Sequence, residues 1–247
     1  MFGHTVPPTT RGTLFVVATP LGNVGDLSPR ARQVLSSADA VLCEDTRHTG
    51  ILLKLLEIKP KRLISYHQHS GLARVEQIVE LLQFGKNLAL VTDAGTPGIS
   101  DPGNMLIKVI RQRVGDKVII SPIPGPSAVL ALASVSGLPT DHFVFLGFLP
   151  HKKGRQTLLK EIAASSQTVF VYESVHRIGK LLNELVAICG LDRYVVVGRE
   201  LTKKFERVYA GSLSAVRAQV LGDPIKGEYV VAVAGRLRKS EIPNSKS

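Results

Sequence analysis

Two cysteines in 247 residues are too few for a disulfide framework, and Cys43 and Cys189 each sit inside an apolar run, "AVLCED" and "LVAICG". That placement argues against disulfide stapling and against a zinc cluster, and it fits a reducing compartment. Long hydrophobic runs are also missing. The first apolar stretch extends only from Leu14 to Ala18, too short for a signal h-region, and no run reaches the ~20 residues of a membrane span. The sequence therefore reads as a soluble, cytoplasmic protein. Aromatic residues make up 5% of the chain, which disfavours a base-stacking platform. No Gly-Lys-Ser/Thr ends any glycine-rich turn, so there is no Walker A loop, and "LGNVGD" lacks the GxGxxG spacing of a dinucleotide fold. Internal repeats and low-complexity tracts are absent as well.

What the chain does have is positive charge. Lys and Arg number 31 against 20 Asp and Glu, a formal charge of +11 that favours a polyanionic partner without naming it. Short β-branched runs at 13–18, 40–44, 62–66, 87–92 and 117–121 alternate with helix-period segments. Ser28-Pro29 opens one helix, Thr46 or Asp45 caps the next, and "LARVEQIVELLQF" repeats apolar residues at helical spacing. This alternation predicts an α/β protein with a mainly parallel first sheet. Beyond the proline-rich stretch at 121–139, longer strands ("HFVFLGF", "TVFVYES", "RYVVVGRE", "EYVVAVAG") and fewer helices predict a second α/β domain with a mixed sheet. The expected division is 1–121, 122–239 and a solvated tail at 240–247.

Three glycine/proline turns follow strands: "TPLGNVGD" (19–26), "DAGTPGISDPG" (93–103) and "PIPGPSA" (122–128). Ligands of open α/β sheets sit beyond the carboxyl ends of strands, so converging turns of this kind would make one cleft. Asp93 and Asp101 have no lysine or arginine in their loop, which disfavours a polyphosphate and favours a neutral or cationic ligand. S-adenosylmethionine, with its sulfonium and ammonium, fits that description. Each turn alone could equally be a strand-to-helix connection with a capping aspartate; three together favour a site.

Taken together and in order, "VVATPLGN", "CEDTRHTGILLKLL", "LVTDAGTPGISDPG", "PIPGPSA", "GLPTDHFVFLGFLP", "VYESVHRI", "GRELTKKFE" and "KGEYVVAVAG" resemble the small-subunit ribosomal RNA cytidine 2′-O-methyltransferases of the tetrapyrrole-methylase superfamily. The resemblance implies two α/β domains with S-adenosylmethionine in the cleft between them, a homodimer, and methylation of a decoding-centre cytidine ribose in 16S rRNA of the small ribosomal subunit. On it we expect a cofactor shell of Pro20, Asp93, Gly95, Thr96, Ser100, Asp101, Ser127 and Ala128, joined by Tyr172 and Gly227. Many members of that family carry a further small helical segment after the last strand. The present sequence stops at Ser247, which leaves the expected RNA affinity to the body of the protein.

Methyl transfer to a ribose hydroxyl needs alignment above all, and a carboxylate able to accept the hydroxyl proton. Glu44 and Asp45 of "CEDTRHT", and Glu173 of "YESVHR", end apolar strands and are the candidate catalytic acids. Cations near them are the candidate RNA contacts: Arg47 and His48, Lys152, Lys153 and Arg155 of "HKKGR", Arg177, and Arg199, Lys203 and Lys204 of "GRELTKK", with Glu200 orienting Arg199. His67 and His69 read as a polar loop, and no metal is expected. A porphyrinoid methylase and a non-catalytic RNA-binding protein with a vestigial cleft stay open as alternatives. A nicotinamide oxidoreductase is disfavoured by the missing fingerprint.

Overall fold

The computed structural model describes residues 11–67, 70–101 and 103–236. The chain divides into two units, Met1–Ser127 and Ala128–Ser247. In the first unit, β1 (Thr13–Val17), β2 (Ala40–Cys43), β3 (Leu63–Ser65), β4 (Asn87–Leu90) and β5 (Ile119–Ile123) form a sheet of order β3-β2-β4-β1-β5. Every pairing in it is parallel. Alternating strand residues point to opposite faces. Leu14, Leu42, Leu88 and Leu90 pack with Ile78 and Leu82 of α3 (Leu72–Gln83) and Leu106 and Ile110 of α4 (Gly103–Arg113). Val17, Val41, Ala89 and Val91 pack with Val34 and Leu35 of α1 (Pro29–Ser37) and Leu53 of α2 (Thr46–Leu55). Helices thus cover both faces, which a parallel sheet requires because neither face can be left wet.

Local chemistry explains the helix starts. Ser28 Oγ accepts from the Ala31 N–H and Pro29 takes the first helical position, where its missing donor costs nothing. Helix α2 is capped by Asp45 rather than Thr46: the Asp45 carboxylate accepts from the N–H groups of Arg47 and His48, at 2.8 and 3.4 Å.

The second unit holds β6 (Phe143–Phe148), β7 (Thr168–Ser174), β8 (Tyr194–Arg199), β9 (Arg207–Ser212) and β10 (Glu228–Val233) in the order β6-β7-β10-β8-β9. Only β6 and β7 run parallel; the other pairings are antiparallel. One face packs on α6 (Arg155–Ala164), α7 (Ile178–Cys189) and α8 (Leu213–Gly222). The other packs on α5 (Ala128–Ser136) through Val129 and Leu132 against Phe170, Val196 and Val230.

The fold class is the expected one, with three differences of detail. Ser121–Ile123, the expected boundary, lies inside β5, where Pro122 is tolerated because β5 pairs on one side only. The second unit has longer strands but not fewer helices, since among the described residues each unit has four α-helices. Strand β9 had no counterpart in the sequence reading. The tail at 240–247 lies outside the described residues. No helix among them is long and apolar enough to cross a membrane.

Candidate active site

In the first unit the turns after β1, β4 and β5 are laced together at the carboxyl ends of their strands. Thr19 and Gly95 exchange both main-chain hydrogen bonds, at 2.9 and 3.1 Å, and Thr19 Oγ1 donates to the Thr92 carbonyl at 3.0 Å. Thr96 Oγ1 donates to the Pro126 carbonyl at 2.9 Å, tying the second turn to the third. Gly125 lies so near Ala18 that an added Cβ would sit 3.0 Å from the alanine methyl. Gly95 takes φ +86°, and Ser100, although it carries a side chain, takes φ +63°. Such left-handed residues are held only where surrounding contacts fix the loop.

Carboxylates gather on this scaffold. Glu44, directly after β2, accepts from Thr92 Oγ1 at 2.8 Å and lines a small cavity with Tyr66, Thr92 and Asp101. Burial, reinforced by the nearby Glu44 and Asp93 charges and partly offset by the Thr92 hydroxyl, pushes the Asp101 carboxyl up to about 6. Among the described residues no lysine or arginine pairs with Glu44, Asp93 or Asp101. The His48 imidazole does approach one of them, its Nδ1 lying 3.5 Å from Asp93. Asp45 behaves differently. Its bond to the exposed Arg47 side chain, and its capping of α2, hold the carboxyl well below the usual carboxylate range. Asp45 is therefore committed to capping α2 and to Arg47, whereas Glu44 has no arginine or lysine partner among the described residues.

Of the expected cofactor shell, Pro20 lies on the turn after β1, Asp93, Gly95, Thr96, Ser100 and Asp101 on the turn after β4, and Ser127 on the turn after β5, where it ends the unit. Pro20 and Gly95 are buried, whereas Asp93 and Ser100 are exposed. Thr19, Tyr66 and Thr92 share the site and were missed from sequence; the threonines flanking Pro20 and Asp93 were the available signal.

The second unit places its candidates otherwise. Ala128 opens α5, and the Tyr172 hydroxyl accepts from the Val129 N–H at 3.2 Å while its ring packs edge-on against Phe145 and Phe148. Gly227 takes φ +81°, a conformation that favours glycine, and an added Cβ would fall 2.2 Å from the Glu200 carboxylate and displace it. Glu173 is a correction. Its side chain is fully buried, bound to Arg177 at 2.8 Å and facing Arg155 at 3.5 Å, so it cannot face a substrate. Arg155 is equally buried, donating twice to Glu184 at 2.9 and 2.7 Å, which removes it from any exposed phosphate surface. Arg177 is mostly enclosed between Glu173 and the Leu149 carbonyl. Arg199 is buried and donates to the Pro224 carbonyl, beside Asp223. Glu200 engages Lys203 and the Glu228 N–H rather than orienting Arg199, and Lys203 bridges Glu200 and Glu228 at 3.0 Å each. Lys152, Lys153 and Lys204 remain exposed. His69 lies outside the described residues, among which no group of three His, Cys, Asp or Glu side chains could hold a metal.

Residues 13–217 match the Tetrapyrrole (Corrin/Porphyrin) Methylases. The chain belongs to the tetrapyrrole methylase family. Ribosomal RNA small subunit methyltransferase I of Xylella fastidiosa (strain Temecula1) is 46% identical over 230 residues, spanning 92% of this chain and 83% of the relative. Its namesake in Escherichia coli O157:H7 is 42% identical over 241 residues, spanning 96% and 83%. Among solved structures, uroporphyrin-III C-methyl transferase from Thermus thermophilus complexed with S-adenyl homocysteine superposes with a TM-score of 0.60 at 17% identity, covering 90% of this chain and 96% of that one. At that identity the likeness shows a shared fold.

The donor set of this tetrapyrrole methylase suits a positively charged ligand. Glu44, Asp93 and Asp101 stand at its first-unit strand ends and turns without an arginine or lysine, and burial together with the neighbouring negative charges raises the Asp101 carboxyl. A cation placed there would recover the Coulomb energy the free site lacks.

Proposed function

We propose that the protein is an S-adenosylmethionine-dependent methyltransferase that modifies the ribose 2′-hydroxyl of a decoding-centre cytidine in 16S rRNA. The observation that carries the rRNA reading is the extent of similarity to relatives named for methylating small-subunit ribosomal RNA, at 42–46% identity over nearly the whole chain. The methyl-donor reading is supported by Asp93 and Asp101 on the glycine turn after β4, and Glu44 after β2, all without Arg or Lys partners among the described residues.

In this reading Asp93 and Asp101 face the cofactor's positive groups, and the main chain of Gly95 and Thr96 approaches it closely. When bound, S-adenosylmethionine supplies an electrophilic methyl group whose positive charge disappears on transfer. Glu44 accepts the proton of the ribose hydroxyl at its Oε2, because Thr92 already occupies Oε1. Thr92 fixes the carboxylate in one orientation, which serves the alignment that dominates such a displacement. Lys152, Lys153 and Lys204, exposed and cationic, take RNA phosphates, and such contacts set register rather than read sequence. The work is done in the cytoplasm on the small ribosomal subunit, in keeping with the chain's positive charge.

Small ribosomal subunits lacking 2′-O-methylation, incubated with the protein and isotopically labelled S-adenosylmethionine, give the test. Nuclease digestion and mass spectrometry should locate label on the ribose of one cytidine. Label on a polycarboxylate macrocycle and none on RNA would move the protein to the porphyrinoid branch of its family.

A further inference from the structure

Glu173, next to last in β7, is fully buried beside two guanidinium groups. Its Oε1 accepts from its neighbour's N–H, that of Ser174, at 2.9 Å and meets Arg177 at 2.8 Å, while Oε2 lies 3.5 Å from Arg155 and makes no hydrogen bond. Glu184 of α7 completes the group through Arg155, so two buried cations are balanced by two carboxylates. The same guanidiniums have a second set of partners. Arg177 Nη1 donates to the Leu149 carbonyl at 2.9 Å, and Arg155 Nη1 donates to the Pro150 carbonyl at 3.2 Å. Those carbonyls begin the turn that carries His151, Lys152 and Lys153, and the Arg155 N–H closes it by donating to the Lys152 carbonyl at 3.2 Å. All three side chains are exposed, and among the described residues neither lysine has a carboxylate at ion-pair distance.

A buried ion cluster of this kind is a weak source of net stability, because desolvation consumes most of its Coulomb energy; its better-attested use is to fix one geometry. Here the geometry it fixes is that of an exposed dibasic turn. We propose that Glu173 is a positioning residue, which through Arg155 and Arg177 holds the Leu149 and Pro150 carbonyls and so aims Lys152 and Lys153 at two phosphates of the RNA. This rests on the rRNA reading above and deepens it: the enzyme's RNA contact is set by a carboxylate that touches neither RNA nor cofactor.

The affinity of the protein for unmethylated small subunits, measured across a salt series, tests the proposal. Two lost phosphate contacts to single-stranded RNA should reduce the magnitude of the log–log salt slope by about 1.4, at ~0.7 per phosphate. Glu173→Gln should show that reduction together with a rise in KM for subunits of about tenfold, with kcat at saturating subunits and cofactor affinity within about twofold. Should Glu173→Gln fail to fold, Arg177→Lys keeps the charge beside Glu173 but cannot also reach the Leu149 carbonyl, and it should give the same change of slope. In a Lys152→Ala/Lys153→Ala background either substitution should add nothing further. An unchanged slope, or a full additive loss in that background, overturns the proposal while leaving the methyltransferase reading intact. Wild-type protein that neither binds nor methylates subunits would instead overturn both.

Discussion

The two units treat their carboxylates in opposite ways. In the first, Glu44, Asp93 and Asp101 stand at the ends of parallel strands with a threonine hydroxyl and a histidine for company, and Asp101 is driven toward neutrality. In the second, Glu173, Glu184, Glu200 and Asp223 are each bound to arginine or lysine. A partly buried acid without a cation, such as Asp101, costs stability when ionised, whereas an acid matched internally has its charge committed already. On the proposed function, the contrast separates groups available to a ligand from groups that hold the chain in place.

The sharpest way to break this comparison is to remove the proton acceptor. Glu44→Gln preserves shape and the Thr92 contact but not basicity, so kcat should fall about 10²–10⁴-fold, with cofactor affinity by calorimetry nearly unchanged. Equal loss of cofactor affinity would return Glu44 to the binding set. In the second unit the matching substitution, Glu184→Ala, leaves the almost fully buried Arg155 with the Pro150 carbonyl and, as its one remaining carboxylate, Glu173 at 3.5 Å. Uncompensating a buried charge costs about 3 kcal/mol, to be read by urea denaturation.

Asp101→Asn sharpens the contrast through pH. The folded carboxyl titrates at about 6 against an ordinary value of 3.8, so between those limits the folded apo protein holds a proton that the unfolded chain has lost. That group's contribution favours folding at low pH and vanishes as pH rises through about 6. The asparagine variant should therefore melt higher than wild type above pH 6 and match it below about pH 4. Cofactor binding should run the other way: a cation prefers the ionised form, so wild-type affinity should tighten as pH rises through about 6. The variant should bind about tenfold more weakly, roughly 1.4 kcal/mol, with that pH dependence gone.

Much of the first unit is legible in sequence because its grammar is local. Apolar runs followed by Gly and Pro turns announce strand ends, Ser28-Pro29 announces a helix, and the absence of Lys and Arg between Val91 and Gly103 announces the unmatched acids. What stays hidden depends on partners far along the chain. Arg155 reads as surface charge until Glu184, on another helix, is folded against it, and Glu173 reads as a strand-end acid until two arginines close over it. Helix α5 is hidden because "AVLALASVS" is apolar on every side and follows prolines, which blurs its period. Strand β9 pairs only with β8, and its exposed positions carry no alternation to read.

The smallest effect separates an idle acid from an engaged one in the same backbone conformation. Glu57 and Glu200 both take left-handed φ values, +57° and +51°. Glu57 follows α2, where its N–H donates to the Lys54 carbonyl and the next N–H, of Ile58, donates to the Leu53 carbonyl, the pattern that ordinarily selects glycine. Its side chain is exposed and has no ion-pair partner among the described residues. Glycine there removes the steric cost of the left-handed Cβ and adds some unfolded-state entropy, so Glu57→Gly should stabilise the protein by about 0.5–1 kcal/mol. Glu200→Gly relieves the same backbone but deprives Lys203 and the Glu228 N–H of their acceptor, and should give no gain. Paired denaturation curves decide it: equal stabilisation by both would mean that the Glu200 contacts contribute nothing, and that engagement of a carboxylate in the second unit is geometric rather than energetic.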